Sequence, residues 1–250
     1  MVRALSYAAL GTLFTCLMTT LGAATVFFMG RDLPARSQSA LLGFAGGVMT
    51  AASVWSLLLP ALEQAEGGPL PAWLPAAAGV ALGAAFLAGL DALTPRLRRS
   101  LDPQRRRNAL LFAAITLHNI PEGMAVGLAF ALAADGDGLA GAAALALGIG
   151  VQNFPEGAAI SLPLRQMGES RRRAFLAGTL SGAVEPLFGI AVVLAAAGAH
   201  ALMPWLLSFA AGAMLCVVAG ELAPQSDTRG GVWGFIAGFL LMMTLDVALG

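Results

Sequence analysis

Lysine is absent from this chain, and charge of either sign is scarce. Only 11% of residues are charged, while 58% are hydrophobic and the mean hydropathy is +0.79. So little charge excludes a soluble domain of 250 residues, whose surface would need far more. Cysteine occurs only at Cys16 and Cys216, both inside apolar runs. Two isolated cysteines supply neither a disulfide framework nor a C-x-x-C metal clip, so they read as small packing residues. Long polar connections are also missing. None exceeds roughly 15 residues, which leaves no room for a soluble domain.

What the chain has instead is apolar length. A transmembrane helix needs roughly 20 apolar residues. Eight runs qualify, at about 5–28, 39–62, 72–94, 109–133, 139–164, 174–198, 202–222 and 231–249. The expected fold is all-α: one polytopic membrane domain, 1–250, with eight transmembrane helices. The first run continues to Met29, too far for a signal peptide, and is expected to be a retained helix.

The basic residues, all arginines, orient the chain. Arg31 and Arg36 lie between runs 1 and 2. Arg96, Arg98, Arg99, Arg105, Arg106 and Arg107 lie between runs 3 and 4, Arg165 and Arg171 to Arg173 between 5 and 6, and Arg229 between 7 and 8. These alternate loops share one side, which the positive-inside rule assigns to the cytoplasm. Both termini then face outward, and Glu63, Glu66, Asp135 and Asp137 fall on the outer loops. Topology and contact with anionic lipid headgroups account for the arginines, and no nucleic acid partner is expected.

Glycines four apart, such as Gly43/Gly47 and Gly234/Gly238, allow helices to approach closely in lipid. Two longer repeats stand out. FAGGVM at Phe44–Met49 in run 2 matches FAAGAM at Phe209–Met214 in run 7. Those runs point in opposite directions, the mark of an inverted repeat. Helices 1–3 and 6–8 are thus expected as inverted halves around a central pair, a 3+2+3 arrangement. The second repeat is LHNIPEGMAVGLAF, from Leu117, against VQNFPEGAAISLPL, from Val151.

This second repeat puts polar groups at mid-membrane. His118 and Glu122 lie roughly 16–22 Å along their helix at about 1.5 Å per residue. Gln152 and Glu156, and Glu185 in SGAVEPLFG, fall at similar depth, joined by Asn119 and Asn153. His118 and Glu122 share a helix face at i, i+4, as do Gln152 and Glu156. Asn119 and Asn153 turn about 100° aside. Pro121 and Pro155 cannot donate to the carbonyls of Leu117 and Val151, freeing those oxygens. A charged carboxylate at this depth costs at least ~2.5–3.5 kcal/mol. With no arginine there to pair Glu122, Glu156 and Glu185, either they are protonated or a cation visits. Helix-to-helix hydrogen bonding is the structural alternative. Imidazole, carboxylate and amide oxygen together suit a divalent metal nearer zinc than calcium.

The duplicated motif His118-Asn119-Ile120-Pro121-Glu122-Gly123 and Gln152-Asn153-Phe154-Pro155-Glu156-Gly157 resembles the paired helix 4 and helix 5 signatures of the ZIP family of zinc and iron transporters. The eight runs, outward termini and basic loop after run 3 extend the resemblance over essentially the whole chain. It implies inward transport of Zn2+, or of Cd2+, Fe2+ or Mn2+, by alternating access in a bacterial inner membrane. It also implies a homodimer and no cofactor apart from the transported ion. By that resemblance His118, Glu122, Gln152 and Glu156 form one metal site. Asn119, Asn153, Glu156 and Glu185 form an adjoining site that shares a glutamate. Many members carry His where this chain has Gln152, and some carry Asp in place of Asn153. The cytoplasmic loop lacks the histidine cluster of many eukaryotic members.

Asp91 and Glu221 end runs 3 and 7 on the cytoplasmic side, where they face a departing ion or nearby arginines. Asp246 lies near the outer end of run 8, and His200 at the outer turn between runs 6 and 7. Two other function classes remain open. An intramembrane zinc hydrolase would use Glu122 as base, but H-E-x-x-H is missing. A proton-driven carrier of an organic solute would need only the glutamates.

Overall fold

A computed structural model describes residues 2–28, 35–97, 103–133, 138–196 and 200–249. Arg31, Arg98, Arg99, Asp135 and Asp137 lie outside the described residues, as do the side chains of His118, Asp91 and His200. Among the described residues every element is helical. Helix α1 spans Val2–Ala24 and tightens into a 3-10 turn, Thr25–Phe27. Helices α2 (Ala35–Ala52) and α3 (Leu59–Ala65) join through a widened π turn, Ser53–Leu58. Then come α4 (Trp73–Leu97), α5 (Pro103–Ala133) and α6 (Leu139–Gln166). Helices α7 (Arg171–Gly182) and α8 (Val184–Ala196) are followed by α9 (Met203–Val217). A second π turn, Val218–Leu222, leads to α10 (Ala223–Gln225), and α11 (Arg229–Leu249) ends the chain.

Local chemistry explains the joints. Gly168, at φ +97°, ends α6 in the left-handed conformation, and Glu169 N–H closes back on the Leu164 carbonyl at 3.0 Å. Ser170 then caps α7, its Oγ accepting from Arg173 N–H at 3.3 Å. Each π turn is followed two residues later by a proline, Pro60 or Pro224. A proline ring clashes with the carbonyl four residues back, and a widened turn absorbs that clash. The run expected as one helix at about 174–198 crosses as one stretch, Arg171–Ala196, with a turn at Ala183 that divides it into α7 and α8. Pro186 removes the hydrogen bond to Gly182, which loosens the helix at that turn. Helix α5 starts at Pro103, earlier than the apolar run suggested.

Among the described residues six helical stretches are long and apolar enough to cross a membrane: Val2–Phe27, Arg36–Ala65, Trp73–Leu90, Arg171–Ala196, Met203–Gln225 and Arg229–Ala248. Expected spans 4 and 5 are helical as α5 and α6, 31 and 28 residues long. Side-chain placement is inverted relative to a soluble bundle. On α1, Thr12, Thr15 and Thr19 are buried at 0% exposure, while Leu13 and Leu17 are 55% and 53% exposed. Apolar groups outside and hydroxyls inside are the arrangement lipid selects, and the chain is a multi-pass membrane protein.

The helices pack in pairs: α1 on α6, α5 on α8, α2 on α11 and α4 on α9. Two motif glycines make close approaches to neighbouring helices. A Cβ on Gly157 would overlap the Thr19 carbonyl of α1, and one on Gly123 would overlap the Glu185 backbone of α8. These contacts draw the motif helices against α1 and α8.

Candidate metal centre

Helix α5 contributes Asn119 and Glu122, α6 contributes Gln152, Asn153 and Glu156, and α8 contributes Glu185 from its first turn. All are buried; Glu122 and Glu185 are fully enclosed. Gln152 Nε2 donates to Glu122 Oε1 at 2.7 Å. Asn153 Nδ2 donates to both carboxylate oxygens of Glu185, at 3.0 Å each, and lies 3.3 Å from the Thr15 carbonyl. Thr19 Oγ1 donates to Glu185 Oε1 at 3.2 Å.

The amide nitrogens of Gln152 and Asn153 are thus spent on carboxylates, and their amide oxygens are left over. Gln152 Oε1, Asn153 Oδ1, Glu122 Oε2 and both polar atoms of Asn119 are buried without a hydrogen-bond partner. Each unsatisfied buried group costs about 1–3 kcal/mol. Most of these atoms are acceptors, and a cation satisfies several acceptors at once. Carboxylate and amide oxygen form a hard-to-borderline donor set, able to hold a divalent ion after it sheds water.

The structure brings Glu122 against Gln152 and Asn153 against Glu185 as direct pairs. Glu156 instead lines a cavity of about 250 Å3 between α2 and α6, with Gln38, Leu42, Pro155 and Pro163. Among the described residues no three His, Cys, Asp or Glu side chains form a ready metal cluster. Thr15 and Thr19 were not anticipated as part of this centre. The available signal was the spacing of Thr12, Thr15 and Thr19, which puts three hydroxyls on one face of α1. Asp246 is packed inward, accepting from Ser56 Oγ at 2.6 Å, and borders a separate cavity of about 400 Å3 with Trp55, Glu63 and Gln64. Glu221 sits half-buried in the second π turn, and Cys16 and Cys216 are half-buried free thiols.

A family model described as ZIP Zinc transporter matches residues 98–246, which include both motif copies and Glu185. Zinc transporter ZIP11 of Homo sapiens is 37% identical, with 97% of each chain covered. The chain belongs to the ZIP family. Two bacterial ZIP relatives are equally similar. Zinc transporter GufA of Myxococcus xanthus is 39% identical, with 93% of this chain and 94% of its own covered. Zinc transporter ZIPB of Bordetella bronchiseptica is 39% identical, with 98% and 82% covered. ZIP proteins are transporters and not enzymes, which removes the intramembrane hydrolase. In this ZIP protein the polar centre lies where the family's two motif helices meet α1 and α8.

Proposed function

We propose that this ZIP protein carries divalent metal ions across the bacterial inner membrane into the cytoplasm, zinc foremost, with cadmium, iron and manganese as competing ions. The names of its relatives, all zinc transporters, support zinc as cargo. One observation carries the reading: buried oxygens of Glu122, Gln152 and Asn153 have no hydrogen-bond partner where the two motifs meet. A partly dehydrated divalent ion supplies what those oxygens lack. In the proposed centre His118, Glu122, Gln152 and Glu156 hold one ion. Asn119, Asn153, Glu156 and Glu185 hold a neighbouring one, with Glu156 shared.

The proposed transporter is a single domain, 1–250, of eight spans in a 3+2+3 arrangement, with both termini outside the cytoplasm and a second copy completing a homodimer. The helix pairing supports the inverted halves. Exchanging spans 1–4 with 6, 7, 8 and 5 turns the α1–α6 pair into α8–α5, and the α2–α11 pair into α9–α4. Both π turns begin nine residues after the first residue of their repeat, Phe44 or Phe209.

The proposed alternating access is supported by how the helices are mated. Glycine-mediated backbone contacts join Gly22 to Phe154, Gly157 to Thr19 and Gly123 to Glu185, binding α1, α5, α6 and α8. Others join Gly47 to Phe235, Gly238 to Phe44 and Gly83 to Phe209, binding α2, α4, α9 and α11. Two such groups sliding past each other would carry the centre between the cavity near Asp246 and the cavity below Glu156. The latter extends toward Gln38 and Pro163, at the arginine-rich ends of α2 and α6.

The test is uptake by the purified protein in proteoliposomes containing a zinc-sensitive dye. Saturable zinc and cadmium influx above empty vesicles is expected. Influx of an organic solute with no metal flux would overturn the reading.

A further inference from the structure

Helix α1 carries none of the motif residues, yet it closes one side of the centre with a polar clasp. Thr19 Oγ1 is 3.2 Å from Glu185 Oε1 and also 3.2 Å from the carbonyl of Thr15. Its single hydroxyl proton serves one acceptor at a time. The Asn153 amide, with two protons, reaches both Glu185 oxygens and the same Thr15 carbonyl. The hydroxyls of Thr15 and Thr19 and the two amide protons of Asn153 therefore face three acceptor oxygens, two on Glu185 and one on the α1 backbone. All four residues are fully buried, so water does not substitute for a lost donor.

The backbone around Thr19 is as constrained as its hydroxyl. A Cβ on Gly157 of α6 would overlap the Thr19 carbonyl, and one on Gly182 would lie 2.9 Å from Thr19 Cβ. Thr19 is thus wedged at the meeting of α1, α6 and the end of α7, beside the turn at Ala183. The contrast with Thr12 is instructive. Its hydroxyl is satisfied by the Ala8 carbonyl at 2.7 Å, a local bond that reaches no motif residue. On this threonine face Thr15 and Thr19 both turn a hydroxyl toward Glu185, and the Thr19 hydroxyl lies 3.2 Å from Oε1.

We propose that Thr19 is a positioning residue for transport: its hydroxyl fixes the Glu185 carboxylate for the incoming ion, and the Thr15 carbonyl is where that proton goes when a cation takes the carboxylate oxygen. The exchange keeps every donor satisfied in the loaded and empty states. Glu185 is therefore held in one rotamer before binding, and the ordering cost is met by the fold and not by the ion. The inference rests on the proposed metal centre and adds α1 to it.

The test is a double-mutant cycle on the full-length protein in nanodiscs, with zinc affinity read by titration calorimetry and zinc uptake read in proteoliposomes. Thr19→Val keeps shape and removes the donor, while Thr19→Ser keeps the donor. Thr19→Val is expected to weaken zinc binding and raise the half-saturating concentration about tenfold, the size of one hydrogen bond to a charged group. Thr19→Ser is expected within about twofold of the parent on the same scale. Adding Thr19→Val to Glu185→Gln is expected to cost little further, because the carboxylate it acts through is gone. The inference is overturned if Thr19→Val matches the parent, if Thr19→Ser is as weak as Thr19→Val, or if the Thr19→Val loss is undiminished on top of Glu185→Gln. A parent that neither binds nor transports zinc overturns the metal centre itself, an outcome distinct from those three.

Discussion

Replacing Gly157 by alanine tests whether the polar centre depends on the contact between α1 and α6. The added Cβ would overlap the Thr19 carbonyl oxygen and lie 2.8 Å from the Ala23 nitrogen. Both are backbone atoms, so no side chain can swing aside. Restoring ordinary non-bonded separation requires the two helices to part by roughly 1 Å. Overpacking of this kind costs about 1–3 kcal/mol. At about 2–4 °C per kcal/mol for a chain of this size, the melting temperature should fall by roughly 2–12 °C. The centre should suffer more than the fold. Asn153, one turn before Gly157, holds the Thr15 carbonyl at 3.3 Å, and a further ångström ends that bond.

The assay pairs thermal unfolding in nanodiscs with zinc uptake, and Gly89→Ala is the control. A Cβ on Gly89 meets nothing within 4 Å, so alanine there should be neutral or stabilising by up to about 1 kcal/mol. Gly157→Ala with the parent's melting temperature and uptake would refute the close-contact argument. Equal losses in both variants would show a general intolerance of alanine for glycine, unconnected with the helix crossing.

The remaining tests probe the centre and its access. Glu156→Gln should reduce zinc uptake more than Asn153→Ala at equal expression, because it removes the charge of the proposed shared ligand; equal or greater loss in Asn153→Ala would exclude sharing. Gln152→His should lower the half-saturating concentrations of zinc and cadmium and shift competition away from manganese, since imidazole nitrogen suits the softer ions. Tighter binding should also slow release and lower the maximal rate, and an unchanged ranking of the three metals would remove Gln152 from the ligand set. Ala159→Trp, in the wall of the cavity below Glu156, should cut zinc uptake while leaving zinc binding by calorimetry near the parent value. Undiminished uptake would mean that the ion leaves by another path.

How much of this centre was legible in the sequence follows from where each polar group finds its partner. Glu122, Gln152, Asn153 and Glu185 stood out because an ionisable or amide side chain at mid-membrane depth is costly and has no local way to be satisfied. Their partners come from other helices: Gln152 reaches Glu122 across α6 and α5, and Asn153 reaches Glu185 across α6 and α8. Thr15 and Thr19 gave no such alarm. A threonine in a helix can bond the carbonyl three or four residues back, as Thr12 does to Ala8 and Thr15 to Thr12, so its presence in an apolar run is cheap. The same limit hid the backbone irregularities. The π turns at Ser53–Leu58 and Val218–Leu222 and the turn at Ala183 lie within unbroken apolar composition, with Pro60, Pro224 and Pro186 as the only local hints. The count of spans shows the converse. The apolar runs and arginine parity give eight, while among the described residues length and apolarity recover six, and in α6 the polar Gln152, Asn153 and Glu156 lower the apolar character. Depth-dependent cost therefore exposes a ligand that must be partnered at long range, and conceals a donor that can fall back on its own helix. Thr19 is such a donor, and its hydroxyl can shift between Glu185 and Thr15 because either acceptor satisfies it.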